Sequence, residues 1–243
     1  MTRTLLVLLL LVQCCSAPLH TGAAGGSGGG GPAIITKVNT QQANASSGTS
    51  LSSSGASVSA GNALVVGCVA SSGGGVTTTV SDTAANTFNS VGSQLAWNSG
   101  GSFAQMFVAL NTTANSNDVI TCNFSASVNY PGLVAVQYSG VMASNAIDVT
   151  NATGTCTGCN SVTSGSFTTV QATEVIIALC EANAGVTFTA GTGFTVETQA
   201  GGTGASGFAL GDEITSTVQS AATASASWSG SSVPGAILVG SLK

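Results

Sequence analysis

The chain reads as an all-β protein, an antiparallel β-sandwich of jelly-roll or immunoglobulin-like type built from two duplicated halves. Three observations predict this. Val, Thr, Ser and Gly dominate while the helix formers Glu, Lys, Arg and Gln are scarce, and charged residues make up only 5% of the chain. Short β-rich runs recur between clusters of Gly, Ser and Asn, the spacing of strands and tight turns. The chain also matches itself: a shift of 112 places Ile35 on Ile147, Asn39 on Asn151, Val58 on Val170 and Cys68 on Cys180. Further on the shift falls in steps to 104, where Phe124 meets Trp228, as expected if loops shorten while strands keep their length.

Taken in order, the first seventeen residues carry one positive charge at Arg3 and then eight unbroken apolar residues at 5–12. That is the pattern of a secretory signal, too short for a bilayer core of about 30 Å. Cys14 and Cys15 stand where an acylated Cys of a lipoprotein would be, but the preceding Gln13 is large and polar where such a motif wants a small residue. Residues 18–32, rich in Gly, read as a flexible linker, so the folded region spans 33–243. The predicted strands are 34–38, 63–70, 76–80, 103–110, 119–124, 133–138, 175–180 and 236–239. Runs such as Val175-Ile-Ile-Ala-Leu179 are apolar throughout and read as central strands covered on both faces. The homologous halves are 33–141 and 146–243; with no linker between them they are expected to pack as one region, two tandem sandwiches being the alternative.

Export makes disulfides possible for the five later cysteines. Cys156 and Cys159 form a CxxC in a polar segment and read as a loop-pinning disulfide; Cys68 and Cys180 read as small buried hydrophobes.

The chemistry open to the chain is narrow. It has one His, His20, within the first 33 residues, and of three basic residues only Lys37 and Lys243 lie downstream. Nucleic acid is excluded as a partner for want of phosphate-neutralising charge, and a Ser nucleophile would lack its His base. Asp82 and Asn86 bracket a hairpin turn; Asp82 is the one metal candidate, as a calcium ligand, although a turn-capping role fits a lone acid better. Asp212, Glu213, Glu181 and Glu197 are the carboxylates open to glycosidase work, but Asp212 and Glu213 are neighbours on a strand and face opposite ways. Sugar binding needs little charge, since rings stack on pyranose faces while amides and hydroxyls bind the sugar hydroxyls. Trp97, Trp228, Tyr130 and Tyr138 are the available rings; Trp97 and Asn98, in an expected loop, are the best candidates.

The segments GNALVV at 61–66, VSDTAANTF at 80–88, QYSG at 137–140, AIDVT at 146–150, ATEV at 172–175 and GTGFT at 191–195 resemble a family of secreted bacterial β-sandwich domains without a known shared catalytic centre. The resemblance implies a surface or extracellular module and supplies no activity. The expected function is therefore a non-enzymatic secreted or cell-surface binding or adhesion module, contacting an extracellular glycan or surface protein without a cofactor. The alternative is a self-associating structural subunit of a sheath, filament or surface layer, suggested by the mean hydropathy of +0.45 and by edges short of charge. A carbohydrate-active hydrolase is a weaker third reading.

Overall fold

The computed structural model describes residues 34–71, 75–201, 206–230 and 232–243, and among these the regular structure is entirely β. The expected signal peptide (1–17), the linker (18–32) and the acylation candidates Cys14 and Cys15 lie outside the described residues. The first half contains β1 (Thr36–Asn44), β2 (Ser47–Ser52), β3 (Ala56–Val58), β4 (Ala63–Ser71), β5 (Thr78–Asp82), β6 (Asn89–Ser90), β7 (Leu95–Trp97), β8 (Ser102–Ala109), β9 (Asn115–Asp118) and β10 (Ile120–Ser139). The second contains β11 (Ala152–Cys159), β12 (Ser161–Thr163), β13 (Thr173–Ala182), β14 (Phe188–Ala190), β15 (Thr195–Gly201), β16 (Gly207–Ser216), β17 (Ser225–Trp228) and β18 (Val233–Leu242).

Pairing in the first half is nested and antiparallel. β1 pairs with the end of β10, β2 with its start, and β4 with β8. This is the order of a rolled-up hairpin, a jelly roll rather than an immunoglobulin fold. The two strands expected at 119–124 and 133–138 are one 20-residue strand, β10, which crosses from a small layer with β2 and β5 to a large layer with β1 and β4. Register shifts at 123–128 and 129–132 make the crossing, because a bulge bends a strand without ending it.

The second half repeats the order. β11-β18-β13-β16-β15 forms the large layer and β12-β17-β14 the small one. Registers agree as well: Cys68 lies opposite Leu133 and Gln105, and Cys180 opposite Ile237 and Ala209. Phe124 pairs with Thr78 as Trp228 pairs with Phe188.

The described residues form one compact unit with three apolar cores. Along β4, Ala63, Val65 and Val69 enter the core shared with the other half, while Leu64, Val66, Cys68 and Ala70 enter the first half's own core. Along β13, Val175, Ile177 and Leu179 join the shared core, and Ile176, Ala178 and Cys180 the second half's own. A strand shows side chains to both faces in turn, so a strand between two cores must be apolar throughout. The large layers approach closely at glycines: a Cβ on Gly132 would stand 2.3 Å from the Phe208 ring, and one on Gly67 2.5 Å from Leu179 Cδ1. Gly132→Ala is accordingly expected to lower stability by about 1–3 kcal/mol through overpacking, measured by urea denaturation.

Two disulfides are present among the described residues. Cys68 is bonded to Cys122, stitching the large to the small layer of the first half, which corrects its expected role as a simple buried hydrophobe. Cys156 is bonded to Cys159, on a strand and not in the loop expected from its polar residues, because β11 is held by backbone pairing to β18. Cys180 is buried with a free thiol.

Candidate functional site

The structure corrects the placement of the best sugar-binding candidate. Trp97 is on β7, paired with Ser102, and is 4% exposed. Its indole Nε1–H donates to Glu181 Oε2 at 3.0 Å, and Ser206 Oγ donates to Oε1 of the same carboxyl at 3.3 Å. Glu181 is fully buried, and desolvation pushes its carboxyl well above the usual range despite these two bonds. A carboxyl inside an apolar strand needs donors, and Trp97 supplies one from the other half. Asn98 is exposed but sits in a tight turn at φ 53°, its carbonyl accepting from the Gly101 amide.

Most of the remaining acids are also engaged within the fold. Asp82 accepts from the amide and side chain of Asn86, closing the expected turn. Asp118 accepts from Thr83 Oγ1 and the Ala84 amide, and its carboxyl faces that of Asp82. Asp148 accepts from the Val170 amide, and Glu174 from Ser241 and the Gln171 amide. Asp212 accepts a 2.6 Å bond from the buried Tyr138 hydroxyl, and the nearby Glu197 is paired with Lys37. Burial, opposed by the Tyr138 bond and reinforced by Glu197, raises the Asp212 carboxyl to about 6. Asp212 and Glu213 face opposite sides of β16, Glu213 lying against Gly193. Asp212 is taken up by Tyr138 and Glu197 by Lys37, so both carboxyls already have protein partners. Among the described residues no three His, Cys, Asp or Glu side chains gather as a metal set around Asp82 or elsewhere.

Of the four rings considered, Trp228 and Tyr138 are buried with Trp97, Trp228 packing edge-on to Phe188. Tyr130 alone is open, 40% exposed, at the corner where β10 passes between layers. Its backbone is left-handed at φ 51°, costly for a bulky residue, and is held by the Tyr130 amide donating to the Ser46 carbonyl. The adjoining Asn129 pairs with Ser47 on β2 and Ser71 on β4. Exposed Asn44, Ser46, Ser47 and Asn129 lie next to Tyr130 in the chain or in the strand paired beside it, the residue types that bind sugar hydroxyls. Open grooves lined by residues 148–152 with 166–170, and by 57–60 with 114–116, offer no exposed ring. Sequence reasoning included Tyr130 but ranked it behind Trp97, because hydropathy cannot show which ring sits on a bend. Among the described residues no helix is long and apolar enough to cross a membrane. No family model, curated protein or solved structure matches this chain.

Proposed function

We propose that the chain is a non-enzymatic secreted or cell-surface binding module that meets an extracellular glycan at the Tyr130 corner. The observation that carries this is the strained, exposed Tyr130, with exposed Asn and Ser residues beside it in the chain and on the paired strand, in a structure whose other three candidate rings are buried. Strain held at an exposed position needs a use, because a bulky residue there costs about 1–3 kcal/mol. The non-enzymatic part is supported by the carboxyls: of those named for hydrolysis, Glu181 is held by Trp97 and Ser206, Asp212 by Tyr138 and Glu197 by Lys37. The test is a glycan array with wild type and Tyr130→Ala. Binding lost in the variant while its melting temperature holds is the expected result; no glycan bound by wild type would sink the proposal.

Self-association as a structural subunit is the second reading, favoured by a different feature. Ile34, Val38, Met142, Val170, Ile214 and Val218 are exposed and lie at or near the end where β1 and β13 begin and β10 and β16 finish. Clustered apolar side chains at one end suit head-on contacts between copies. Size-exclusion chromatography across a wide concentration range checks this: a monomer throughout removes it.

A further inference from the structure

The corner of the second half that matches the Tyr130 corner carries sulfur in place of an aromatic ring. Asn44 pairs with Gly132 as Cys156 pairs with Gly235, and each glycine follows a proline, Pro131 or Pro234. Tyr130 of the first corner thus answers to Val233 of the second, and Val233 is the partner of Cys159. Cys156 and Cys159 lie on β11, an edge strand of its large layer with β18 as its neighbour there. In an extended strand, residues three apart stand about 10 Å from one another and point to opposite faces. The two Cα atoms here are 6.1 Å apart. A bulge supplies the difference: the register shifts between Thr157 and Cys159, and the extra residue, Gly158, has a φ of 123° that suits glycine alone. Disulfide and bulge are therefore one feature, since a straight β11 would hold the two sulfurs out of reach of each other. The bond is also open to solvent. Both cysteines are half-buried, Thr155, Thr157, Gly158 and Asn160 around them are exposed, and a Cβ on Gly158 would meet nothing within 4 Å. Cys68 and Cys122, by contrast, are both 0% exposed.

We propose that Cys156–Cys159 is a thiol-exchange site, opened in the folded protein by low-molecular-weight dithiols while Cys68–Cys122 stays closed. An incoming thiolate bonds to one sulfur and the S–S bond breaks, the displaced cysteine leaving as a thiolate that takes a proton from water. The second thiol of the reagent then displaces the first, so the dithiol ends as a cyclic disulfide and Cys156 and Cys159 end as thiols. Access selects this bond, because the attacking sulfur must reach it and the fold encloses the other. The reduced state has a place in the fold: Cys159 Sγ already lies 3.5 Å from the Val233 carbonyl oxygen, to which a thiol donates. Its loss costs little beside that of Cys68–Cys122, since a bridge over a separation of 3 restrains the unfolded chain less than one over 54. Among the described residues no cation stands by to hold a thiolate: Lys37 is paired with Glu197, and Lys243 lies past the end of β18 opposite Val233. The pair is accordingly a receiver of thiols and not a turning-over oxidoreductase. Opening the bond removes the constraint that maintains the bulge, so Gly158 can pair in the place of Cys159 and the edge straighten.

The experiment is a dithiothreitol titration of the folded wild type at about pH 8, where thiols are partly ionised, with N-ethylmaleimide trapping and peptide mass spectrometry to map the labelled cysteines. Cys156 and Cys159 are expected to become labelled together at a reductant concentration at least about tenfold below that which opens Cys68–Cys122. Cys180, being buried, is expected to stay unlabelled throughout that range. Opening of both bonds at the same concentration overturns the proposal, as does labelling of Cys156 and Cys159 only after denaturant is added. Labelling of both before any reductant is present overturns it too, because the protein as made then lacks the bond. Hydrogen exchange on the selectively reduced protein reads the bulge. Amides at 155–160 are expected to change rate by about tenfold while those of β13 hold, and an unchanged pattern at 155–160 overturns the link between bond and bulge.

Discussion

Replacing Trp97 by Ala is expected to lower the free energy of unfolding by about 3–5 kcal/mol, the cost of removing a large buried ring and leaving its cavity. The site adds to that cost, since the ring's Nε1–H is one of two donors to the fully buried Glu181. Because the ring belongs to β7 and the carboxyl to β13, the change also removes a hydrogen bond joining the two halves. Domains are typically stable by only 5–15 kcal/mol, so Trp97→Ala is expected to bring unfolding close to working temperatures. Glu181→Gln serves as the control. Burial raises this carboxyl well above the usual carboxylate range, favouring its neutral form, so an amide of the same shape is expected to change stability by less than about 1 kcal/mol. Urea denaturation measures both. A loss under 1 kcal/mol for the Trp change, or equal losses for both variants, contradicts this account of the junction.

The second large effect concerns the disulfide present in one half and missing from the other. Cys68–Cys122 spans 54 residues, and its removal by Cys68→Ala is expected to cost about 4 kcal/mol on the chain-entropy estimate. In the second half the thiol at the position of Cys68 is retained as Cys180, but the register places Ala226 where the first half has Cys122: Cys122 pairs with Val80 and Ala226 with Ala190. Cys180 and Ala226 line the same small cavity between their layers. Ala226→Cys is therefore expected to form the missing bridge on oxidative refolding and to raise stability by a similar amount, because the closed loop is of similar length. Thiol titration and intact mass report whether the bond forms. A variant that keeps two free thiols shows that the halves differ in inter-layer geometry despite their common register.

Sheet type and much of the core were legible because apolar runs report burial on both faces, as at 63–66 and 175–180. The weaker strands were not. β2, β12 and β15 carry mostly Ser, Thr and other polar residues with few apolar ones, and backbone pairing to neighbouring strands holds them where side-chain pattern says little. The break expected between 124 and 133 failed for a related reason: a bulge and a left-handed Tyr130 bend the chain without releasing its ladder. Trp97 was misplaced because its neighbours Asn98 to Gly101 carry turn chemistry while the ring points inward. The signal that could have placed it was Glu181, a lone acid in an apolar strand, which requires a buried donor from elsewhere in the chain.

The sequence by itself determined the β class, the apolar central strands and the scarcity of basic chemistry, since each is a matter of composition and local period. It also set the offsets at which the two halves correspond. Only the tertiary structure decided the jelly-roll order, the face-to-face packing of the large layers, the Cys68–Cys122 bond and the Trp97–Glu181 bond between halves. These depend on residues far apart in the chain. Which strand lies beside which is settled by loop closure and packing, and no local pattern encodes it.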